Sequence, residues 1–221
     1  MASDQLTEIF GCHDRQADSY DARVVSGSQQ PGNYLRENYF TILDRVIAVG
    51  EFRPAMKVLD IGIGTGLLAL RMPPFVELHG VDISERMLEK LRGKGLPAML
   101  QLGDFLHLPF VDHYFDRIVS TFALHHVPHP DKQRAFAEMD RVLRPAGSLV
   151  IADLMFEDDG QKRETLQKFK DEGRDDMLTA IDDEFFTDIS SAALELRAMG
   201  FQTQYERGST LSWILKAARS S

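Results

Sequence analysis

Residues 57–66 read Lys57-Val58-Leu59-Asp60-Ile61-Gly62-Ile63-Gly64-Thr65-Gly66. A short apolar run meets a loop with glycine at every second position. Such a run suits a buried strand, and glycines at the turn permit positive φ and close approach of a ligand to the backbone. A dinucleotide fingerprint, G-x-G-x-x-G, would have its third glycine at position 67; this chain has Leu67 there, and the glycine stands at Gly66. Taken alone, the loop is also readable as a tight strand-to-helix turn without a ligand, the lesser of the two readings.

Outward from this loop, short apolar runs alternate with helical patterns, which predicts βαβ units and a parallel sheet. Thr65 to Arg71 is expected to open a helix that Pro73-Pro74 ends. Glu77 to Val81 reads as a second strand, and Ser84 as the N-cap of a helix from Glu85 to Arg92 closed by Gly93 and Gly95. Ala98 to Leu102 and Phe115 to Thr121 read as the third and fourth strands. A helix over Asp131 to Leu143 carries Phe136, Met139, Val142 and Leu143 on one side. Pro145-Ala146-Gly147 turns the chain into a fifth strand, Ser148 to Asp153, and the acidic stretch Phe156 to Asp188 reads as one or two inserted helices. A helix from Ile189 to Met199 and strands Phe201 to Glu206 and Leu211 to Ala217 complete the pattern. The expected fold class is α/β: a Rossmann-like, doubly wound sheet of about seven strands, mostly parallel with the last antiparallel, plus an N-terminal helical cap. The whole chain, 1–221, reads as one domain: cap 1–50, core 51–154, helical insert 155–190, and final helix and strand pair 191–221.

Two further strand ends carry carboxylates. Asp82, in Val81-Asp82-Ile83-Ser84, lies 22 positions after Asp60 and is placed to accept from both hydroxyls of a ribose, or else to cap the next helix. Asp104, in Leu102-Gly103-Asp104-Phe105, is placed to accept from an adenine amino group, or else to close a Gly-Asp turn.

With these three motifs in order, the chain resembles the class I S-adenosylmethionine-dependent methyltransferases, especially the group that includes ubiquinone and menaquinone biosynthesis enzymes. The likeness runs from Ala17-Asp18-Ser19-Tyr20-Asp21 to Trp213-Ile214-Leu215, through Ala123-Leu124-His125-His126-Val127 and Arg141-Val142-Leu143-Arg144-Pro145-Ala146-Gly147. The family often has Pro-Gly-Gly where this chain has Pro145-Ala146-Gly147. The resemblance implies S-adenosylmethionine as cofactor, with S-adenosylhomocysteine as product. It implies that Gly62 and Gly64 pass the methionine part and Asp60 holds its amino group. Asp82 would grip the ribose, Ile83 pack on adenine, and Gly103-Asp104-Phe105 hold the base. Thr121 would sit near the methyl group, and Tyr20 would close over the cofactor. His126 and His125, just beyond the fourth strand, are the candidate catalytic bases, or else loop histidines packed against the cap. His129 and Asp131 extend that cluster, but Pro128 and Pro130 break any helical ligand spacing, and no metal is expected.

Composition narrows the function classes. Formal net charge is −9, which disfavours nucleic acid and anionic membranes as partners and leaves a small-molecule acceptor. No apolar stretch of about 18 residues exists, so no membrane span is expected. Met1 to Phe10 carries Asp4 and Glu8 and does not read as a secretory signal; with the single Cys12 this suits the cytoplasm. Cys12 reads as a bystander, and the assembly as monomer or homodimer. The rivals are a non-catalytic binder of the same cofactor and a nicotinamide-dependent oxidoreductase, which Leu67 disfavours. A nucleic-acid methyltransferase is disfavoured because Thr121-Phe122-Ala123-Leu124 stands where an Asn-Pro-Pro-aromatic motif would be.

Overall fold

The strands at the centre of the protein are apolar without polar alternation because both of their faces are covered. In β1 (Lys57–Ile61), Leu59 and Ile61 join one apolar cluster and Val58 the other. The same alternation separates Ile118 from Val119 in β4 (Phe115–Thr121), and Leu149 and Ile151 from Val150 and Ala152 in β5 (Leu143–Phe156). Period-two side chains thus build two cores, one on each side of a single sheet. The computed structural model describes Asp14 and residues 17–219. The readings of Met1 to Phe10 and of Cys12 lie outside the described residues.

The remaining elements are α1 (Tyr20–Gln29), α2 (Tyr39–Val49), β2 (Glu77–Asp82), α3 (Glu85–Gly93), β3 (Ala98–Leu102) and α4 (Lys132–Val142). They continue with α5 (Asp159–Asp171), α6 (Asp175–Asp182), β6 (Thr187–Asp188), α7 (Ile189–Ala198), β7 (Phe201–Arg207) and β8 (Ser212–Arg219). The sheet order is β3-β2-β1-β4-β5-β8-β7, with β6 beside β5. Strands β1 to β5 pair in parallel, and β8 is antiparallel to both neighbours. The sheet is thus mixed and mostly parallel, with the last strand reversed. Chain order turns back between β1 and β4, and at such a switch point a crevice opens beyond the carboxyl ends of the strands.

Ser84 caps α3 as read: its Oγ accepts from the Met87 amide at 3.2 Å. Two expectations need correction. The helix expected over Thr65 to Arg71 is a single 3-10 turn, Ala69–Arg71. Gly66 sits at φ +83°, and a Cβ there would come within 2.4 Å of Leu91, so the loop uses residues through 66. Too few then remain before Pro73 to build an α-helix. The Pro145-Ala146-Gly147 turn is a bulge inside a longer strand: Phe115 pairs with Leu143, yet Arg117 pairs with Ser148. The insert holds two helices, α5 and α6, within the one or two expected, and adds the short strand β6, Thr187–Asp188, on the far end of β5. No helix among the described residues is long and apolar enough to cross a membrane.

Candidate active site

A cleft of about 1000 Å³, continuous with solvent, occupies the crevice at the switch point. Its walls come from the loops after β1, β2, β3 and β4 and from Tyr20 and Tyr39 of the cap. Of the sequence-selected residues, Tyr20, Gly62, Gly64, Asp82, Ile83, Gly103, Asp104, Phe105, Thr121 and His126 all border this cleft.

The glycine loop owes its shape to Asp82. Gly62 and Gly64 have φ of +73° and +54°, and a Cβ on Gly62 would lie 2.4 Å from that of Ala123. The Gly64 amide donates to Asp82 Oδ2 at 2.8 Å, and the Ser84 amide to Oδ1 at 2.9 Å. The carboxylate keeps acceptor capacity beyond these backbone donors. Burial pushes the Asp82 carboxyl up to about 6, against the pull of its backbone donors. Asp104 Oδ1 accepts from the Leu106 amide at 2.7 Å and the His107 amide at 3.0 Å, so this carboxylate closes its own turn while facing the cleft.

Asp60 differs. It is 1% exposed, and neither carboxylate oxygen has a hydrogen-bond partner. Burial, and then the charge of Asp82, push its carboxyl up to about 8. A buried carboxylate without a partner is costly unless a cation or donor arrives to meet it. It sits directly before the glycine loop that lines the cleft, which fits a ligand bearing positive charge and hydrogen-bond donors.

The cap is latched onto this loop. Thr65 Oγ1 donates to Asp21 Oδ1 at 2.5 Å, while Lys94 Nζ donates to Asp21 Oδ2 at 2.6 Å and to the Thr65 carbonyl at 2.7 Å. Asp18 pairs with Arg86 and Lys90. These contacts hold α1, and with it Tyr20, over the cleft. Tyr39 stacks on Phe122 with ring centroids 4.5 Å apart. Phe122 has φ +52°, an uncommon conformation for a bulky residue and one that recurs at functional sites.

The two histidines diverge. Both lie on the 3-10 turn Leu124–His126 after β4. His125 is 5% exposed and does not border the cleft; its Nδ1 meets Asp153 Oδ1, and its amide donates to Asp153 Oδ2 at 3.0 Å. Burial opposes ionisation of Asp153, but the charge and hydrogen bond of His125 hold its carboxyl below the usual range. His126 does border the cleft, and its Nδ1 lies 2.9 Å from Glu184 Oε2. Burial, and then His125, push the His126 imidazole down, which favours its neutral form. His125, His126 and Glu184 place donor atoms within 4.8 Å of one another, although Lys132, buried behind them, already opposes the negative charge of Asp153 and Glu184.

Sequence reasoning missed Asp153, Glu184, Lys132, Tyr39 and the Asp21 latch. Glu184 had been noticed only as part of an acidic run; nothing local marks the others. Phe122 was seen only as an absence of proline.

Residues 58–147 match the family model of a methyltransferase domain. An uncharacterized methyltransferase of Bacillus pumilus is 29% identical, over 96% of this chain and 98% of its own length. Among solved structures, a SAM-dependent methyltransferase from Aquifex aeolicus superposes with a TM-score of 0.60 at 18% identity, over 80% of this chain and 89% of that one. The DhpI–SAM–HEP complex superposes with a TM-score of 0.69 at 16% identity, over 94% of each chain. Residues 58–147 thus carry a methyltransferase domain, relatives named as methyltransferases match nearly the whole chain, and the fold is that of the SAM-dependent methyltransferase from Aquifex aeolicus.

Proposed function

We propose that this enzyme transfers the methyl group of S-adenosylmethionine to a small-molecule acceptor at the His126 end of the cleft, with the chain acting as one unit. The observation that carries this reading is the continuity of one cleft, from the glycine loop after β1 and the carboxylates Asp82 and Asp104 at the ends of β2 and β3 to His126 after β4. Asp60 faces the methionine ammonium, Asp82 accepts from the ribose hydroxyls, and Asp104 accepts from the adenine amine. Ile83 and Phe105 flank the ring. Gly62 and Gly64 let the backbone come close, and Thr121 and Tyr20 border the methyl end. The bound donor supplies an electrophilic methyl group on a sulfonium. The protein supplies placement and exclusion of water: the latched cap covers the cleft, and fixed orientation is worth on the order of 7–11 kcal/mol in favourable intramolecular models.

His126 takes the proton that the acceptor loses, and Glu184 steadies the imidazolium formed. His125 acts through its anchorage to Asp153, which holds the turn, and is a positioning residue. His126→Ala is expected to lower kcat by about 10²- to 10⁴-fold, the range for loss of a general base. Donor affinity by calorimetry is expected to stay within about twofold of the parent, since the affinity comes from the three carboxylates. With the parent enzyme, kcat/KM is expected to rise with pH through a value below 6.5 and then level off, because neutral His126 is the active form. An unchanged rate in the variant returns His126 to a wall residue. Titration with S-adenosylmethionine and S-adenosylhomocysteine, followed by an acceptor screen read as S-adenosylhomocysteine release, tests the whole reading. Donor binding without turnover on any acceptor would favour a non-catalytic binder.

A further inference from the structure

We infer that the acceptor is an amine. This rests on the proposed methyl transfer at the His126 end of the cleft and adds the acceptor's chemical class.

Among the described residues that line the cleft there is no lysine or arginine; the ionisable side chains are carboxylates, tyrosines and His126. An acceptor with a carboxylate or phosphate would enter without a counter-charge, and desolvating such a group unpaired is costly. The nearest cation behind the acceptor end, Lys132, is buried, donates to the Leu124 carbonyl at 2.9 Å and faces Asp153 and Glu184 rather than the cleft.

The surrounding field has the opposite sign. Residues 155–190 hold twelve acidic and five basic side chains, so this segment alone accounts for seven of the nine net negative charges. It packs beside the acceptor end: the Phe185 amide donates to the His125 carbonyl at 2.9 Å, and Glu184 reaches His126. An acidic rim concentrates cations at a cleft mouth and steers them inward.

Inside, Tyr39 and Phe122 stack on each other in the cleft wall beside Tyr20, and Arg36 lies over the Tyr39 ring 5.8 Å from its centroid, so these two rings serve as an apolar wall. The remaining neighbours at this end, Ala123, Val127 and Pro128, are apolar and offer nothing to an anion.

The chemistry closes on the same residues. An ammonium that enters must lose a proton before its nitrogen is nucleophilic, and neutral His126 accepts it. The nitrogen lone pair then forms the N–C bond as the donor's S–C bond breaks, and the electron pair stays on sulfur as S-adenosylhomocysteine leaves. The proton passes from His126 to solvent, with Glu184 compensating the transient imidazolium.

The test offers the purified enzyme, with S-adenosylmethionine, three skeletons in matched form: butylamine, 2-phenylethylamine and tryptamine, each with its hydroxyl and carboxylate counterpart. Methylated product is read by mass spectrometry, and donor binding is measured on the same sample by calorimetry. The expected result is N-methylation of at least one amine with kcat/KM at least tenfold above its alcohol, and no product from any carboxylate. Glu184→Gln is expected to lower amine turnover about tenfold and displace the acid limb of the pH profile without changing donor affinity. Turnover of an alcohol or carboxylate at or above its matched amine overturns the inference. So does failure of every amine on a sample that binds the donor, and there methyl transfer to another acceptor survives. A sample that binds no donor overturns both.

Discussion

Asp60→Asn is expected to stabilise the ligand-free protein and to weaken donor binding by about a hundredfold. Both effects follow from a fully buried carboxyl without partners, held at about 8 instead of 3.8. Because the folded carboxyl is raised, the folded state holds this proton more tightly than the unfolded chain. The group's contribution is therefore intact below about pH 4 and is lost as pH rises towards 8. At pH 7 the implied cost is on the order of 4 kcal/mol, an upper bound. Asparagine avoids the charge but leaves a buried amide to satisfy, so a net gain of about 1–2 kcal/mol is expected, or about 2–8 °C in melting temperature. The gain should shrink to nothing at pH 4. The same carboxyl must ionise to meet a cationic donor. Binding to the parent at pH 7 should therefore release close to one proton, visible as calorimetric enthalpies that vary with the buffer's ionisation heat. The asparagine variant should release none. Unchanged melting temperature together with unchanged affinity would remove Asp60 from the site. A variant both more stable and poorer in binding is the stability–function trade-off expected where a fold holds an unpaired charge for its ligand.

Asp82→Ala is expected to weaken S-adenosylmethionine and S-adenosylhomocysteine binding by about 10³-fold while leaving the far-UV spectrum intact. Two hydrogen bonds from ribose hydroxyls to a carboxylate are worth about 1.5–3 kcal/mol each. Two backbone amides, of Gly64 and Ser84, also lose their acceptor, so the glycine loop loses its internal brace. Asp82→Asn keeps the shape but turns one acceptor into a donor, and should recover only part of the loss. In the parent, donor affinity should fall as pH drops below about 6, because a protonated Asp82 accepts fewer hydrogen bonds. Near-parental affinity in the alanine variant would refute the ribose assignment.

Much of the cleft wall built at the ends of β1, β2 and β3 was legible because its signals are local. The β1 run, the glycine spacing, Asp82 and Asp104 each sit where a strand ends, and parallel strands in one sheet bring their ends to one edge. The glycine loop still misled in one respect. A helix after it is the usual sequel, but Gly66 at positive φ and Pro73-Pro74 together leave room only for one tight turn. The β5 bulge was read as a turn, since a stretch containing Pro145 and Gly147 carries the same composition in either role.

The surroundings of His126 were barely legible. His125 and His126 are adjacent and identical in type, and only the fold separates them: one turns inward to Asp153, 28 positions on, and the other borders the cleft with Glu184, 58 positions on. The Asp21 latch to Thr65 spans 44 positions. By itself, the sequence determined the α/β class, the parallel core, the glycine loop and the carboxylates at three strand ends, because backbone conformation and apolar period act over a few residues. Tertiary structure alone decided which histidine meets the cleft, which carboxylate stays unpartnered, and how the cap is held. Burial and pairing of charges depend on neighbours that the chain supplies from far away, and no local pattern encodes them.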